Sequence, residues 1–342
     1  MFIKDIEIKN FRGLTNLKIS DLGQINVFTG ENNSGKTSVL EAIFALMGWR
    51  IDALYRLNSY RSQRAEVGIT YFFNKSVKDT PIEIFASFNE SGYQRKFKAE
   101  LLNFNRGLDS KTGFSTSIYE INETSKKSES IESLEDIEGP AEAKVIEFKG
   151  QPPFQNFNYS FPSFRIFEHE NLKRTLSSII TAKEDRKITR LIKPFDEKIQ
   201  GINVVGNGIF LDIEGLSSLL PIEVSGDGLR RTLSLILAIY GVGKGGFVMI
   251  DEFENGLHYK SMPKVWKAII NSAKEMNVQL FITTHSEELL KVLSEVIEDE
   301  LPEDKSKIRY YNIKRYENNE STAYKYDFTK FDFLISNDNE IR

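Results

Sequence analysis

The residues with the most recognisable chemistry lie at positions 30–38, which read Gly-Glu-Asn-Asn-Ser-Gly-Lys-Thr-Ser. A Gly-x-x-x-x-Gly-Lys-Thr pattern is typical of a phosphate-binding loop when a strand precedes it and a helix follows it. Gly30 and Gly35 allow the tight turn that points backbone N–H groups at phosphate oxygens. Lys36 supplies a positive charge for the β- and γ-phosphates, and the Thr37 hydroxyl is a ligand that suits Mg²⁺.

The residues around this loop decide between a nucleotide site and a chance match in a glycine- and serine-rich turn. Residues 25–28 form a short apolar run, and apolar residues recur at helical spacing from Val39 to Met47. This context favours nucleotide binding. The candidate nucleotide-binding residues in the loop are Gly30, Asn32, Asn33, Ser34, Gly35, Lys36, Thr37 and Ser38.

A second group of candidates is an acidic pair, Asp251 and Glu252, directly after the apolar run 247–250. An Asp at the end of a buried strand is suited to hold Mg²⁺ together with Thr37. A neighbouring Glu is placed to orient or deprotonate an attacking water. Acidic residues also follow strands simply because the chain returns to solvent, and the upstream phosphate loop favours the functional interpretation.

Two further candidates end a strand and begin a helix. His285 follows the apolar run 281–284, where an imidazole can form a hydrogen bond with a γ-phosphate, although a single His at a strand end is usually structural. Ser225, Gly226 and Gly228 open a predicted helix and offer a hydroxyl and free N–H groups to an anion. An ordinary helix cap explains the same three residues.

Composition excludes several classes of site and protein. The chain has 342 residues, a formal net charge of −4, three histidines and no cysteine. Disulfides, thiolate metal sites and histidine metal clusters are therefore not expected. The slight negative charge does not favour a protein that coats nucleic acid, and no apolar run is long enough for a membrane helix. We expect a cytoplasmic protein without a membrane partner.

The hydrophobic pattern predicts one composite α/β domain with four parts. Residues 1–104 are an N-terminal lobe with the phosphate loop and an antiparallel β layer. Residues 105–140 are rich in Ser, Thr, Lys and Glu and are predicted to be a polar, flexible insertion. Residues 141–201 are predicted to be a helical subdomain. Residues 202–342 alternate helices and strands, which indicates a C-terminal lobe with a parallel sheet covered by helices.

The helical pattern of the third part carries many basic residues: Lys173, Arg174, Lys183, Arg186, Lys187, Arg190 and Lys193. Such a basic arm is suited to nucleic-acid phosphates or to an acidic partner. An ordinary solvated helix face is the simpler interpretation.

Taken in chain order, these motifs resemble the ABC-type ATPase family, in the branch with RecF-like, structural-maintenance-of-chromosomes (SMC) and OLD-like proteins. The resemblance covers nearly the whole chain and uses six segments. They are an N-terminal Asn-Phe-Arg-Gly turn at 10–13, the Walker A loop at 30–38, a signature-like Ser-Gly-Asp-Gly at 225–228, Walker B at 247–252, a D-loop-like segment at 254–258 and the switch histidine His285. Asp-Glu-x-Glu-Asn-Gly-Leu-His looks most like stand-alone ATPases of bacterial anti-phage systems and like the ATPase half of OLD-family nucleases.

The resemblance implies a P-loop NTPase fold of ABC-ATPase type, with a mixed central sheet flanked by helices, an antiparallel β layer and a helical insertion. It implies ATP and Mg²⁺ as cofactors and two heads that enclose ATP, each site joining one subunit's Walker motifs to the other's Ser225 signature. Glu252 and His285 would be catalytic, Asp251 and Thr37 would bind the metal, and Arg12 would lie near the nucleotide. The signature departs from the usual Leu-Ser-Gly-Gly form.

The resemblance leaves three functions open. Too few residues follow His285 for the Toprim nuclease domain of OLD-like proteins, so a separate effector protein, a nuclease or toxin, is expected. The first function is therefore an ATPase switch that assembles as a homodimer or larger homo-oligomer and controls that effector in anti-phage defence. The second is a RecF-like DNA-binding ATPase in repair or recombination. The third is an ATP-bound assembly scaffold with little turnover.

Overall fold

The computed structural model describes residues 1–48, 53–54, 56–57, 72–73, 80–90, 92–106, 109–122, 127–135, 144–150, 157–162, 169–317 and 320–336. The strands are β1 (Ile3–Phe11), β2 (Leu14–Ile19), β3 (Ile25–Thr29), β4 (Ile82–Phe88), β5 (Gln94–Arg106), β6 (Asp109–Ile121), β7 (Lys127–Glu135), β8 (Lys144–Gly150), β9 (Tyr159–Ser160), β10 (Ile199–Val205), β11 (Gly208–Ile213), β12 (Leu220–Pro221), β13 (Phe247–Ile250), β14 (Gln279–Thr283), β15 (Ile308–Arg315) and β16 (Ser321–Tyr326).

The helices are α1 (Lys36–Met47), α2 (His169–Thr181), α3 (Asp185–Ile192), α4 (Asp227–Gly241), α5 (Met262–Glu275), α6 (Glu287–Asp299) and α7 (Phe328–Ser336). Within the described ranges, none of them combines the length and the apolarity needed to cross a membrane. The alternation of helices and strands predicted for the C-terminal lobe is present after residue 227, and β15 and β16 pair as an antiparallel hairpin near the end of this lobe. The sequence pattern did not predict α7.

The central sheet is mixed and has the strand order β16-β15-β3-β14-β13-β9. Its three middle strands, β3, β14 and β13, run parallel and are buried along their whole length. Their sequences are nearly continuous apolar runs, as expected for parallel strands that are covered on both faces. Among the six described strands of this sheet, β16 alone runs antiparallel to its neighbour.

Helix α1 lies between the two large sheets. It packs into one hydrophobic cluster with Phe28, Phe247 and Phe281 of the central sheet and with residues of β1, β4 and β5. Helices α4, α5 and α6 cover the opposite face of the central sheet in a second cluster. In that cluster the Trp266 indole N–H of α5 donates a hydrogen bond of 3.1 Å to the Leu289 carbonyl of α6. The phosphate loop is therefore joined at both of its ends to buried elements.

The predicted antiparallel β layer is a seven-stranded sheet with the order β2-β1-β4-β5-β6-β7-β8. The prediction of a flexible insertion at 105–140 is wrong for the residues described there, since that stretch contains all of β6 and all of β7. Antiparallel pairing is made by backbone hydrogen bonds, which a run of Ser, Thr and Lys can form as well as an apolar run. In β6, Thr116, Ile118 and Glu120 are buried at alternate positions.

The prediction of a helical subdomain at 141–201 also needs correction. Among the residues of this stretch that the structure describes, α2, α3 and the 3₁₀ turn Lys193–Phe195 are helical, whereas β8 and β9 precede them and join different sheets. Residues 199–221 then form a small antiparallel sheet, β10-β11-β12. The basic and apolar spacing from Leu172 to Ile192 predicted the helices correctly, but short edge strands such as β9 have too few residues to show a period.

Candidate functional site

The candidate site lies where three neighbouring parallel strands end. β3 leads into the loop at 30–35, β13 leads into Asp251 and Glu252, and β14 leads into His285. In an open α/β sheet, the carboxyl ends of parallel strands form the edge at which ligands bind. Segments that are far apart in the sequence are therefore brought to one edge.

The two glycines of the loop have conformations that a side chain would not tolerate. Gly30 has a φ of 134°, and a Cβ there would lie 2.3 Å from the Ile313 carbonyl oxygen. Gly35 has a φ of 106°, and a Cβ there would lie 2.7 Å from Leu14 Cδ2. Between them Asn33 adopts a φ of 64°, in the left-handed region that Asn tolerates better than most residues. The loop closes tightly because these positions accept positive φ.

The Lys36 ammonium is held over the loop. Its Nζ donates hydrogen bonds of 2.8 Å and 2.7 Å to the carbonyl oxygens of Gly30 and Glu31. Burial lowers the pKa of Lys36 to about 8, against the opposing effect of the carboxylates of Asp251, Glu254 and Glu252. The lysine is thus a nearly buried cation close to three carboxylates, and nucleotide phosphates would supply an anion in direct contact with it.

The oxygen atoms that the sequence assigned to a metal are adjacent. The Thr37 hydroxyl donates a hydrogen bond of 3.0 Å to Asp251 Oδ1, although the two residues are separated by most of the chain. A hydroxyl and one carboxylate fit Mg²⁺, which takes few protein ligands and binds mainly water and substrate phosphates. In keeping with this chemistry, the described part of the chain has no group of three or more His, Cys, Asp or Glu residues that could enclose a metal.

Glu252 is exposed at the same edge and has an unusual backbone. Its φ is 47°, and its backbone N–H donates a hydrogen bond of 2.9 Å to the Thr283 hydroxyl. Its carboxylate accepts a hydrogen bond of 2.6 Å from the Asn255 side-chain amide. The backbone and the carboxylate are therefore both restrained, which is useful for a group that must act on a water molecule in one position.

His285 borders a cavity of about 230 Å³ in front of the phosphate loop. The cavity is lined by Thr29, Gly30, Glu31, Asn32, Thr284, His285, Glu287 and Leu290. The His285 backbone N–H donates a hydrogen bond of 2.7 Å to Glu254 Oε1. Burial and, to a smaller extent, the Lys36 charge lower the pKa of His285. A neutral imidazole in this place can donate or accept a hydrogen bond.

Arg12 lies against the helix that carries the loop. Its Nε is 2.5 Å from Glu41 Oε2 in α1, one turn after Thr37, and its guanidinium stacks 4.3 Å from the centre of the Phe72 ring. The φ of Arg12 is 52°. The arginine therefore joins the antiparallel sheet to α1, and its predicted proximity to nucleotide stays a prediction.

The signature-like residues lie at the start of α4. The Ser225 hydroxyl donates a hydrogen bond of 2.7 Å to the Ile222 carbonyl, so it does not cap the helix. Gly226 is exposed, and a Cβ there would meet no atom within 4 Å. Gly228 is close to Ser261, whose Oγ would be 3.1 Å from such a Cβ. In the described ranges no hydrogen bond links Ser225 or Gly226 to the Walker residues of the same chain.

The basic arm is divided between paired and exposed residues. Lys173 is buried and forms an ion pair of 2.6 Å with Glu170, and Lys187 forms ion pairs of 3.0 Å with Glu184 and Glu275. The exposed basic residues of the arm are Arg174, Lys183, Arg186, Arg190 and Lys193. Arg186 and Arg190 are four residues apart in α3 and so share one face of the helix, whereas Lys183 and Lys193 flank its two ends.

Sequence reasoning did not assign a role to Thr283, Asn255 or Glu254. Each forms a hydrogen bond with a candidate site residue. Two signals were present in the sequence: a threonine is the last residue of a buried apolar strand, and Glu254 and Asn255 directly follow the acidic pair. Neither signal specifies a partner without the strand register.

Comparisons with known proteins identify a family and several relatives. The sequence model of the family described as "AAA domain, putative AbiEii toxin, Type IV TA system" matches residues 25–291. The chain is 25% identical to an ATP/GTP phosphatase of Helicobacter pylori, over 87% of this chain and 89% of the relative. It is 46% identical to the DNA replication and repair protein RecF of Idiomarina loihiensis over 46 residues, which are 14% of this chain and 13% of that protein.

Among solved structures, the chain is similar to an SMC head domain from Pyrococcus furiosus bound to the C-terminal domain of ScpA. The TM-score is 0.49 at 12% identity, and the match covers 99% of this chain and 100% of the other. An SMC head domain from Thermotoga maritima matches with a TM-score of 0.46 at 12% identity over 95% and 98% of the two chains.

The family match includes the phosphate loop, the acidic pair and His285, and it spans well over half of the sequence. The strand order places these three elements at one edge of a mixed sheet that is covered by helices on both faces. The chain therefore belongs to the AAA domain family named above.

Proposed function

We propose that this protein binds and hydrolyses ATP and acts as a switch, in which nucleotide-dependent assembly of two or more copies controls a separate effector protein. The observation that carries the proposal is the contact between the Thr37 hydroxyl and the Asp251 carboxylate, 3.0 Å apart at the edge that also holds Lys36 and Glu252. A cation for phosphates, oxygen ligands for a metal and a carboxylate for water are the parts that phosphoryl transfer to water requires.

Each residue has a defined task in this proposal. Lys36 and the loop N–H groups bind the phosphates, and Thr37 and Asp251 would hold Mg²⁺, which neutralises phosphate charge when bound. Glu252 accepts a proton from the attacking water. His285 forms a hydrogen bond with the terminal phosphate from the neighbouring strand. The name of the Helicobacter pylori relative, ATP/GTP phosphatase, supports hydrolysis of a nucleoside triphosphate.

We further propose that the site is completed by a second copy of the chain. The start of α4 presents an exposed Gly226 and the free N–H groups of a helix terminus, which attract anions. In the described ranges these groups share no hydrogen bond with the Walker residues of their own chain. In this proposal they contact the nucleotide that is bound by the Walker residues of a second subunit. ATP would then join two heads, and hydrolysis would release them.

The composite site is tested by the substitution Gly226→Arg. Gly226 has φ −65° and open space around its Cβ position, so a single chain tolerates the new side chain. We expect nucleotide binding to be unchanged, the ATP-dependent dimer to be lost and the hydrolysis rate to fall by about 100-fold. The measurements are light scattering with size exclusion, nucleotide titration and phosphate release. Ser217→Arg, at an exposed position of a nearby loop, is the matched control; a Gly226→Arg protein with normal turnover would contradict the composite site.

The setting that we propose is bacterial anti-phage defence. The matched family is described by reference to a toxin and to a Type IV toxin–antitoxin system, which supports a role beside a separate toxic effector. In this proposal the effector is a nuclease or a toxin that is held or released when the heads change their assembly. Copurification of a neighbouring gene product with the ATP-bound oligomer, but not with the ADP-bound protein, tests this assignment.

A second function, ATP-dependent DNA binding, is favoured by one observation. Arg186 and Arg190 are exposed on one face of α3, and Lys183 and Lys193 are exposed at its two ends; we call these four residues the basic stripe. Lysine and arginine side chains in a row neutralise DNA phosphates and release counterions, so affinity falls steeply with salt. The local match to RecF, a protein named for replication and repair, also supports this alternative.

The basic stripe is tested by reversing its four charges to Glu. If DNA binding occurs there, the affinity for a duplex oligonucleotide falls, and the slope of log affinity against log salt becomes shallower by roughly 0.9 for each phosphate contact removed. Fluorescence anisotropy with ATP present measures both quantities. The control is Lys18, Lys244, Lys314 and Lys330 changed to Glu, four exposed lysines outside the arm. Equal loss in both variants would show that binding is not located on the stripe.

A further inference from the structure

The hydroxyl of Thr283 contacts both members of the acidic pair. Its Oγ1 donates a hydrogen bond of 2.6 Å to Asp251 Oδ1 and accepts one of 2.9 Å from the Glu252 backbone N–H. Thr283 is the last residue of β14 and is buried, with 1% of its surface exposed. One buried oxygen atom therefore joins the candidate metal carboxylate to the backbone of the candidate base.

Strand pairing brings the hydroxyl to this place. β13 and β14 run parallel with Ile250 opposite Ile282, so the next residue on each strand, Asp251 and Thr283, are neighbours at the sheet edge. The Phe253 backbone N–H also donates a hydrogen bond of 3.0 Å to the Thr283 carbonyl. Three hydrogen bonds thus hold the turn at 251–253 against the end of β14.

The turn needs this support because its backbone is unfavourable. Glu252 has a φ of 47°, which is uncommon for a non-glycine residue and persists only where the surroundings enforce it. The hydrogen bond from its N–H to Thr283 is one such constraint. The bond from Thr283 to Asp251 is charge-assisted and short, so it also fixes the orientation of the carboxylate.

The hydroxyls of Thr37 and Thr283 both donate a hydrogen bond to Asp251 Oδ1, but only one of them is a candidate metal ligand. Thr37 is itself a candidate metal ligand, so its hydrogen bond to Asp251 competes with metal binding. Thr283 ends β14, the strand next to β13, and is buried, so it is not exposed to a ligand. It is therefore the donor to Asp251 that metal binding leaves in place.

We propose that Thr283 is a positioning residue. Its single hydroxyl aligns the Asp251 carboxylate for Mg²⁺ and fixes the Glu252 backbone, so that the Glu252 carboxylate is placed for proton abstraction. This inference rests on the proposed ATPase function. It assigns to Thr283 a role in turnover and metal affinity that is separate from its place in the core.

The test compares Thr283→Val, which keeps the shape and removes the hydroxyl, with Thr283→Ser, which keeps the hydroxyl. For Val we expect kcat to fall and the Mg²⁺ concentration for half-maximal activity to rise, each by about 10-fold to 100-fold. KM for ATP should change little. Thr283→Ser should restore both quantities to within a few-fold of wild type. The Mg²⁺ dependence of fluorescent ATP-analogue binding gives a readout that does not need turnover.

A buried hydroxyl elsewhere provides the matched control. Ser272 in α5 is fully buried and donates to the Ala268 carbonyl at 2.7 Å, so Ser272→Ala removes a comparable hydrogen bond away from the site. We expect this variant to lose stability and to keep its kcat and Mg²⁺ requirement. Circular dichroism and thermal unfolding check all variants; if Thr283→Val does not fold, Thr283→Ala takes its place.

Two results would overturn the assignment. One is a folded Thr283→Val protein with the wild-type kcat and Mg²⁺ requirement, and the other is a Thr283→Ser protein as impaired as Thr283→Val. Both leave the proposed function intact if the wild-type protein hydrolyses ATP. Absence of ATP hydrolysis by the wild-type protein would instead refute the proposed function itself.

Discussion

Replacement of Glu252 by Gln is expected to lower the rate of ATP hydrolysis by at least about 100-fold, because a general base contributes 10²-fold to 10⁴-fold and an amide cannot accept the proton. The substitution keeps the size of the side chain and an oxygen that can accept the Asn255 hydrogen bond. ATP binding should therefore be retained. Because release of the heads depends on hydrolysis, the ATP-bound oligomer should accumulate.

Phosphate release, nucleotide titration and light scattering measure these three effects. Glu295→Gln, on the exposed face of α6, is the matched control for loss of one negative charge. Normal hydrolysis by the Glu252→Gln protein would show that another group activates the water. Phosphate release by the wild-type protein no greater than that of a Lys36→Ala variant would instead favour the scaffold with little turnover.

A large loss of stability is expected when the buried ion pair between β5 and β6 is broken. Glu120 and Arg95 are almost completely buried; their Oε1 and Nε atoms lie 3.6 Å apart, and the Tyr93 hydroxyl donates a hydrogen bond of 2.6 Å to the same carboxylate. Burial and this hydrogen bond raise the pKa of Tyr93. Glu120→Ala removes the carboxylate that faces the buried Arg95 guanidinium, and loss of one member of a buried ion pair costs about 3–5 kcal/mol in the free energy of unfolding.

Urea denaturation measures this loss. Glu100→Ala breaks an ion pair with Lys98 at the surface of the same sheet, where the side chains are 43% and 27% exposed, and should change stability by less than about 1 kcal/mol. Replacement of both buried partners, with Arg95→Met and Glu120→Leu, should recover much of the stability because no unpaired charge remains. A Glu120→Ala protein as stable as the Glu100→Ala control would show that the buried pair contributes little.

Local patterns in the sequence were sufficient for much of the fold. Glycines at fixed spacing before Lys36 predicted the phosphate loop, since only residues that accept positive φ close such a turn. The continuous apolar strands and amphipathic helices after residue 227 predicted the parallel sheet. The polar stretch at 105–140 was predicted wrongly, because composition reports the burial of side chains while a β-strand is held by its backbone partners.

The sequence by itself determined which residues of this protein can bind phosphate, bind a metal and activate water, because those capacities belong to side-chain types and short spacings. The tertiary structure decided which of them meet. Thr37 and Asp251 are brought to 3.0 Å, and Thr283 is placed between Asp251 and Glu252, by the register of three parallel strands. Register depends on contacts between distant segments, which a local pattern does not contain.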